Sequence, residues 1–501
     1  MRLRRDVEAF RTSNIQHSMR ILMIGAEGPP LQRTGALIDV MDALPSALRA
    51  RGHEVSVALP YYREIRENRA FKEKGTGVTV DVQVGDKTYV AKYLEGRSAS
   101  GVQLFLVRCD EFFDRPGIYG ERGRAYEDNA ARFIFFCKAA LELARRLTPP
   151  LQILHVHDWA AALVPVFVRA HNLPFKTVLT IHHVAEQGSF WGLDFNLTNL
   201  PTRFFTLHGV EFFGRLNFLK GGILYADKIT TVSEHYRREL QTPSGGCGLD
   251  VVLRENAHRL TAILHGADYT RWNPASDRLL PAHYDARRLR GKETCREALL
   301  KQLKLASAPR GPVFGMVTRV VEEKGFEILM PLLDRLLSDD VRLIILGEGD
   351  PTYETALAIA ARKFPGKFVY RKDYDEKLAH LIEAGMDISL IPSRFEPAGL
   401  SAMYNLKYGA LPVARATGGI QEIIEDYDPT VDRGYGFLCY EYSSESFWDA
   451  IKREREIYRD RTTWAKLMKR AMSRNFSWGA SAQRYEDLYK GLAGAADQVA
   501  A

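Results

Sequence analysis

Residues 391–424 read IPSRFEPAGLSAMYNLKYGALPVARATGGIQEII. The stretch opens on the end of an apolar, buried-looking strand, "DISLIPS" at 387–393. It then sets Ser393, Arg394, Phe395 and Glu396 at a junction ahead of a helix-like run. A second strand, "LPVAR" at 411–415, leads to a second junction, Thr417-Gly418-Gly419, ahead of another helix-like run. Strand, junction and helix in repetition are the unit of a parallel sheet covered by helices. A carboxylate at such a junction faces something, and two junctions in a row suggest a rim that holds a ligand.

The same alternation extends outward in both directions. "PVFGMVTR" (312–319), "VRLIILGEGD" (341–350) and "KFVYR" (367–371) are predicted strands of the same sheet. Toward the N-terminus the predicted strands are "RILMIG" (20–25), "EVSVALP" (54–60), "QILHVHD" (152–158), "TVLTIHH" (177–183), "KITTVS" (228–233) and "LTAILHG" (260–266). "GALIDVMDALPSALRARG" (35–52) reads as a helix closed by a glycine. Between about 269 and 310 the alternation lapses into a polar, proline-containing, charge-rich stretch. We expect a linker at 271–310 between two doubly wound α/β domains that face across a cleft. The expected boundaries are 19–270 for the first domain and 311–475 for the second. Residues 1–18 form an extension, and Trp448, Trp464 and Trp478 are packing anchors of a helical tail.

The chain has 501 residues, of which 46% are hydrophobic and 26% charged. That composition is globular and supports more than one domain. No apolar run of about 18 or more residues is present, so no membrane-spanning helix is expected. The net charge of +7, from 69 basic and 62 acidic residues, lies in short clusters that read as solvated helix faces. No basic patch joins stacking aromatics, so no nucleic-acid partner is expected. Five cysteines without a Cys-x-x-Cys fit a reducing compartment, and the location is read as cytoplasmic.

The chemistry-bearing residues fall at predicted carboxyl ends of strands. Glu27 follows the first strand, with Arg33-Thr34-Gly35-Ala36-Leu37 beyond it. His155, His157 and Asp158 end another strand, and His182 and His183 the next. Arg319 ends the first strand of the second domain, Lys324-Gly325 opens its helix, and Glu396 precedes Gly399-Leu400. Two cations beside glycine-rich helix starts suit a diphosphate. The absence of Gly-x-x-x-x-Gly-Lys-Ser/Thr excludes an ordinary P-loop, and no Gly-x-Gly-x-x-Gly follows the first strand. His155 and His157 share one strand face, which permits a metal on geometry alone. No third ligand stands at a fixed spacing, and packing or substrate contact is the preferred reading, so no metal site is assigned.

These residues sit in motifs that resemble one family. "FFDRPGIYGERGRAYEDNAARFIFF", "HVHDWAAALVP", "TIHHVAEQG", "GVEFFGRLNFLKGGILYADKITTVSEHY", "TRVVEEKG", "SRFEPAGLSAMYNLKYG" and "TGGI" occur in this order, within a resemblance that runs from about Arg20 to about Leu492. They are similar to signatures of the bacterial glycogen synthases and plant starch synthases of glycosyltransferase family 5. The resemblance implies a GT-B fold of two Rossmann-like domains, with a last helix, 476–492, that crosses back to the first. It implies retaining transfer of glucose from ADP-glucose to the non-reducing end of an α-1,4-glucan, glycogen or malto-oligosaccharide, with no cofactor. By the same resemblance Arg319 and Lys324 neutralise the donor diphosphate, Glu396 binds glucose hydroxyls, and Asp158 and His182 flank the reacting sugar. The remaining donor contacts implied are Arg33, Gly35, Ala36, Asp39, Tyr119, His265, Gly399, Leu400, Thr417, Gly418 and Gly419. The chain departs from the family pattern at Arg33, Ala36, Ala160, His183, Glu186, His265 and Ala398. A member using another nucleotide sugar or a small acceptor, or a weakly active glucan-binding paralogue, is therefore an alternative.

Overall fold

The structure is a computed structural model that describes residues 18–31, 36–121, 123–306 and 311–497. Residues 1–17 of the expected extension, Arg33 and Gly35 lie outside these residues, as does the side chain of Ala36. The chain divides into two compact units. One comprises residues up to Val232, Arg237–Leu264 and the chain from Trp478 onward; the other comprises Ser233–Tyr236 and His265–Ser477.

The first unit is built on a nine-stranded sheet. Its strands are β1 (Arg20–Ile24), β2 (Glu54–Pro60), β3 (Glu73–Val84), β4 (Lys87–Arg97), β5 (Gln103–Arg108), β6 (Ile153–His157), β7 (Lys176–Ile181), β8 (Lys228–Thr231) and β9 (Leu260–Ala262). They lie in the order β9-β8-β7-β6-β1-β2-β5-β4-β3. All pairs are parallel except β3/β4 and β4/β5, which form an antiparallel hairpin at one edge. β1 and β6 are buried nearly throughout, which is why they read as continuous apolar runs. The hairpin alternates between exposed and buried residues over much of its length, so its period differs from the rest.

The helix Trp478–Asp497 is part of this unit. Tyr489 Oη lies 2.7 Å from His155 Nδ1, and His155 Nε2 lies 2.6 Å from Thr180 Oγ1. Burial lowers the His155 pKa to about 3, so the ring stays neutral. His155 is thus a core hydrogen-bonding residue. Among the described residues no group of three or more His, Cys, Asp or Glu is placed to hold a metal ion. No described helix is long and apolar enough to cross a membrane.

The second unit has a six-stranded, wholly parallel sheet: β10 (Val313–Val317), β11 (Arg342–Leu346), β12 (Phe368–Arg371), β13 (Ile388–Ile391), β14 (Leu411–Arg415) and β15 (Phe437–Cys439). The order is β12-β11-β10-β13-β14-β15. Counting parallel strands only, both units follow the doubly wound order third-second-first-fourth-fifth-sixth, which the first unit extends with a seventh strand. Each reverses beside its first strand, at β1/β6 and at β10/β13, and crevices for ligands open there at the carboxyl ends. Trp448 and Trp464 are buried in this unit and Trp478 in the first.

The expected linker is corrected by the structure. Residues 271–306 belong to the second unit, and Arg290–Gln302 is a helix with Cys295, Leu299 and Leu300 in the core. Its charges misled because they are used inside. Lys292 Nζ donates to the carbonyls of Ala384, Met386 and Tyr408 at 2.8–3.0 Å. Asp277 takes His380 Nδ1 at 2.7 Å and the Tyr408 hydroxyl at 2.5 Å, with Trp272 stacked on His380. Buried charges persist where partners surround them, and a composition rule does not see those partners.

Candidate active site

In the first unit, Glu27 follows β1 and accepts the Tyr119 hydroxyl at 2.8 Å. Burial, then the Glu27 charge, holds that phenol well above its usual value. Tyr119 is aimed by a buried scaffold. Its carbonyl accepts from Asn129 Nδ2 at 2.8 Å, and Asn129 Oδ1 accepts from the fully buried Arg132. Arg132 also donates to the carbonyls of Phe112 and Ile118 at 2.8 and 2.9 Å. Truncating Arg132 to alanine leaves these acceptors buried without a donor. It should cost about 3 kcal/mol or more in a denaturant titration; a loss under about 1 kcal/mol would contradict the assignment.

At the ends of β6 and β7, Asp158 takes a left-handed backbone, φ 55°, which turns its carboxylate toward the next strand. Asp158 Oδ1 accepts the His182 N–H at 2.7 Å and the His183 N–H at 3.4 Å. His157 Nδ1 lies 3.0 Å from His182 Nε2. Burial raises the Asp158 carboxyl to about 7; the Glu186 charge adds to the rise and the His182 N–H opposes it. Because the folded value exceeds the unfolded one, the stability Asp158 contributes is lost as pH rises from about 4 through about 7. Asn tolerates the left-handed backbone and cannot ionise. The stability of Asp158→Asn relative to the parent should therefore improve between pH 5 and pH 8, measured by urea unfolding at both; parallel curves would contradict it.

Glu186 acts on Tyr119 as well as on Asp158, so these residues form one cluster with Trp159, whose ring is 5.5 Å from that of Tyr119. Asp39 stands half-buried in the first turn of the helix Ala36–Ala50. Of the departures, Ala160 is buried and Glu186 exposed.

In the second unit, Lys324 and Glu396 meet directly. Lys324 Nζ is 2.6 Å from Glu396 Oε2, and the Ser393 hydroxyl donates to the same oxygen at 3.0 Å. Among the described residues Oε1 makes no hydrogen bond, and it is the atom open to a ligand. Gly325 makes the approach possible: with φ +78°, an added Cβ would stand 2.0 Å from the Pro392 carbonyl oxygen. Arg319 is exposed, with its guanidinium 3.8 Å from Glu323. Gly399 caps the helix Leu400–Lys407 without a side-chain bond, so the helix N-terminus keeps donors for an anion or a hydroxyl. His265 and Ala398 are buried.

Gly419 requires a correction. The Gly419 N–H donates to the carbonyls of Glu396 and Pro397 at 3.0 and 2.9 Å, so it does not point at a phosphate. A Cβ on Gly418 would lie 2.3 Å from the Glu396 carbonyl oxygen, and one on Gly419 2.3 Å from that of Ala398. These glycines let the second junction pack against the first and hold the Glu396 loop. Thr417 is buried, and its carbonyl accepts the Ile420 N–H. Sequence reasoning also missed Arg415, whose guanidinium donates to the Arg394 carbonyl at 2.8 Å and braces the loop from the end of β14.

Residues 20–255 match the family model "Starch synthase catalytic domain", and residues 301–470 match "Glycosyl transferases group 1". The glycogen synthase of Koribacter versatilis is 40% identical over 94% of this chain and 98% of its own. The chain belongs to the glycogen synthase and starch synthase family. The glycogen synthase of Anaeromyxobacter sp. strain Fw109-5 is 42% identical, over 95% of this chain and 100% of its own. Among solved structures, the catalytic domain of starch synthase IV from Arabidopsis thaliana, bound to ADP and acarbose, superposes with a TM-score of 0.88 at 31% identity. That match covers 95% of this chain and 100% of the other. As a synthase of this family the chain is a glycosyltransferase of GT-B fold, and its two doubly wound units are the Rossmann-like halves of that class.

Proposed function

We propose that this chain transfers glucose from ADP-glucose to the non-reducing end of an α-1,4-glucan, with retention of the anomeric configuration, in glycogen synthesis. The observation that carries the reading is the Lys324–Glu396 pair with Glu396 Oε1 open at the β10/β13 switch point. A sugar nucleotide that loses its sugar gains charge on its diphosphate. Lys324 and Arg319 supply fixed positive charge for that change, where one lost donor typically costs about 10²–10³ in rate. Glu396 accepts glucose hydroxyls, and a site built on such bonds rejects analogues that leave it unpaired.

The N–H groups of Gly399 and Leu400 serve the sugar or the phosphate. From the first unit, Asp158 and His182 are assigned to the reacting sugar and Tyr119 to the nucleoside or sugar. Arg33, Gly35, Ala36, Asp39, His265 and Thr417 complete the donor assignment. In the reaction the bond from glucose C1 to the phosphate oxygen breaks, and a bond from C1 to the acceptor O4 forms on the same face. The acceptor hydroxyl proton passes to the departing phosphate. Relatives named glycogen synthase and a structural neighbour bound to ADP support ADP-glucose and glucan as substrates. Five free cysteines support a cytoplasmic location.

The test is the product of a malto-oligosaccharide incubated with ADP-glucose or UDP-glucose, read by proton NMR. A new α-1,4 linkage formed faster from ADP-glucose supports the reading. A β linkage, or extension by UDP-glucose alone, contradicts it.

A further inference from the structure

Beside the Lys324–Glu396 pair the second unit holds a small, partly open polar cavity of about 20 Å³. Lys324, Glu396 and Ser393 line it, together with Glu383, Ser389 and Asn405. The last three are 3–4% exposed. Glu383 lies on the helix Glu376–Gly385, Ser389 in β13 between Ile388 and Leu390, and Asn405 on the helix Leu400–Lys407. A parallel sheet between helices has no packing reason for three polar side chains at one spot.

Their bonds are only half accounted for. Asn405 Nδ2 donates to Glu383 Oε2 at 2.7 Å. Asn405 Oδ1 and Ser389 Oγ are buried and make no hydrogen bond within the protein. Two such groups lining one cavity are rare in a folded core unless something meets them. A polar space of this size takes one water, which wants two to four partners. Ser393 Oγ, which donates to Glu396 Oε2, keeps lone pairs for that water. Burial raises the Glu383 carboxyl to about 7, so below neutrality it is a neutral member of the network.

We propose that the cavity holds one ordered water bound by Ser389 Oγ and Asn405 Oδ1, and that the chain Glu383–Asn405–water–Ser393 fixes the Glu396 carboxylate in its sugar-binding position. Glu383, Ser389 and Asn405 are positioning residues, since they act on the donor through Glu396. The inference rests on the role given to Glu396 above. Half-satisfied buried networks lose geometry, and a misplacement of 1 Å at a reacting centre can cost about 10²-fold. A network one step removed should cost less.

The test uses the full chain and the variants Asn405→Ala, Ser389→Ala and Glu383→Gln. A crystal structure of the parent should show a water within hydrogen-bonding distance of Ser389 Oγ and Asn405 Oδ1; an empty cavity overturns the proposal. Asn405→Ala should lower kcat for glucosyl transfer about tenfold, with ADP affinity within twofold of the parent. Ser389→Ala should lower kcat about threefold, and Glu383→Gln, which keeps the hydrogen bond, should stay within twofold. Ser389→Ala deletes one hydroxyl and so reads the network even if Asn405→Ala does not fold. Parental kcat in folded Asn405→Ala and Ser389→Ala overturns the proposal, as does a parallel loss of kcat and ADP affinity that tracks lowered Tm. A parent that holds the water but transfers no glucose counts against the proposed function alone.

Discussion

Replacing Glu396 by glutamine should lower glucosyl transfer by about 10²-fold or more while the protein stays folded. The carboxylate does two things at once. Oε2 is held by Lys324 at 2.6 Å and Ser393 at 3.0 Å, and Oε1 is left for the ligand. Glutamine keeps the shape but cannot offer two accepting oxygens, and it leaves the Lys324 charge without its counterpart. The nucleotide does not touch this side chain in the proposed reading. Affinity for ADP should therefore stay within a few-fold of the parent in calorimetry, while kcat collapses. Turnover near that of the parent would remove Glu396 from the site.

Lys324→Ala should be at least as severe, about 10²-fold or more in turnover, with a different signature. The variant loses the cation assigned to the diphosphate and exposes the donor to an unpaired Glu396 carboxylate. Lys324 is 18% exposed and Glu396 11%, so the uncompensated charge is poorly screened. ADP affinity should weaken about tenfold, because a charge-assisted bond to phosphate is removed and repulsion replaces it. The pair of results is diagnostic: Glu396→Gln separates kcat from ADP binding and Lys324→Ala lowers both. ADP affinity unchanged in Lys324→Ala would contradict the diphosphate assignment.

Much of the fold was legible because a parallel strand covered on both faces has few ways to be written. The quoted stretch resolves into β13, the helix Leu400–Lys407, β14 and the short helix Ile420–Ile423, in the order its apolar runs announce. Strand ends were legible as a rim for the same reason, since doubly wound units collect ligand-facing residues there. What failed did so for identifiable causes. The segment 271–306 looks like a linker only if Lys292, Arg296 and Asp277 face water. In the fold Lys292 and Asp277 bond inside, and Arg296 Nε reaches the Asp387 carboxylate at 3.3 Å. The hairpin of β3 and β4 has the mixed burial of an edge, so it carries no continuous apolar signal.

Within the candidate site, the sequence offers candidate residues but not the pairings among them. Nothing local in Lys324 announces that it reaches Glu396, 72 residues on. Gly419 looked like a phosphate contact, yet its N–H donates to the carbonyls of Glu396 and Pro397. Arg132, Arg415 and the Glu383–Asn405 pair act through carbonyls or through one another, and such roles leave no motif.

The most direct measurement is incorporation of labelled glucose into glycogen from ADP-glucose, with UDP-glucose in parallel and Glu396→Gln as the control. The account predicts strong incorporation from ADP-glucose by the parent chain, and about 10²-fold less by the variant. No incorporation from either donor by the folded parent would contradict it.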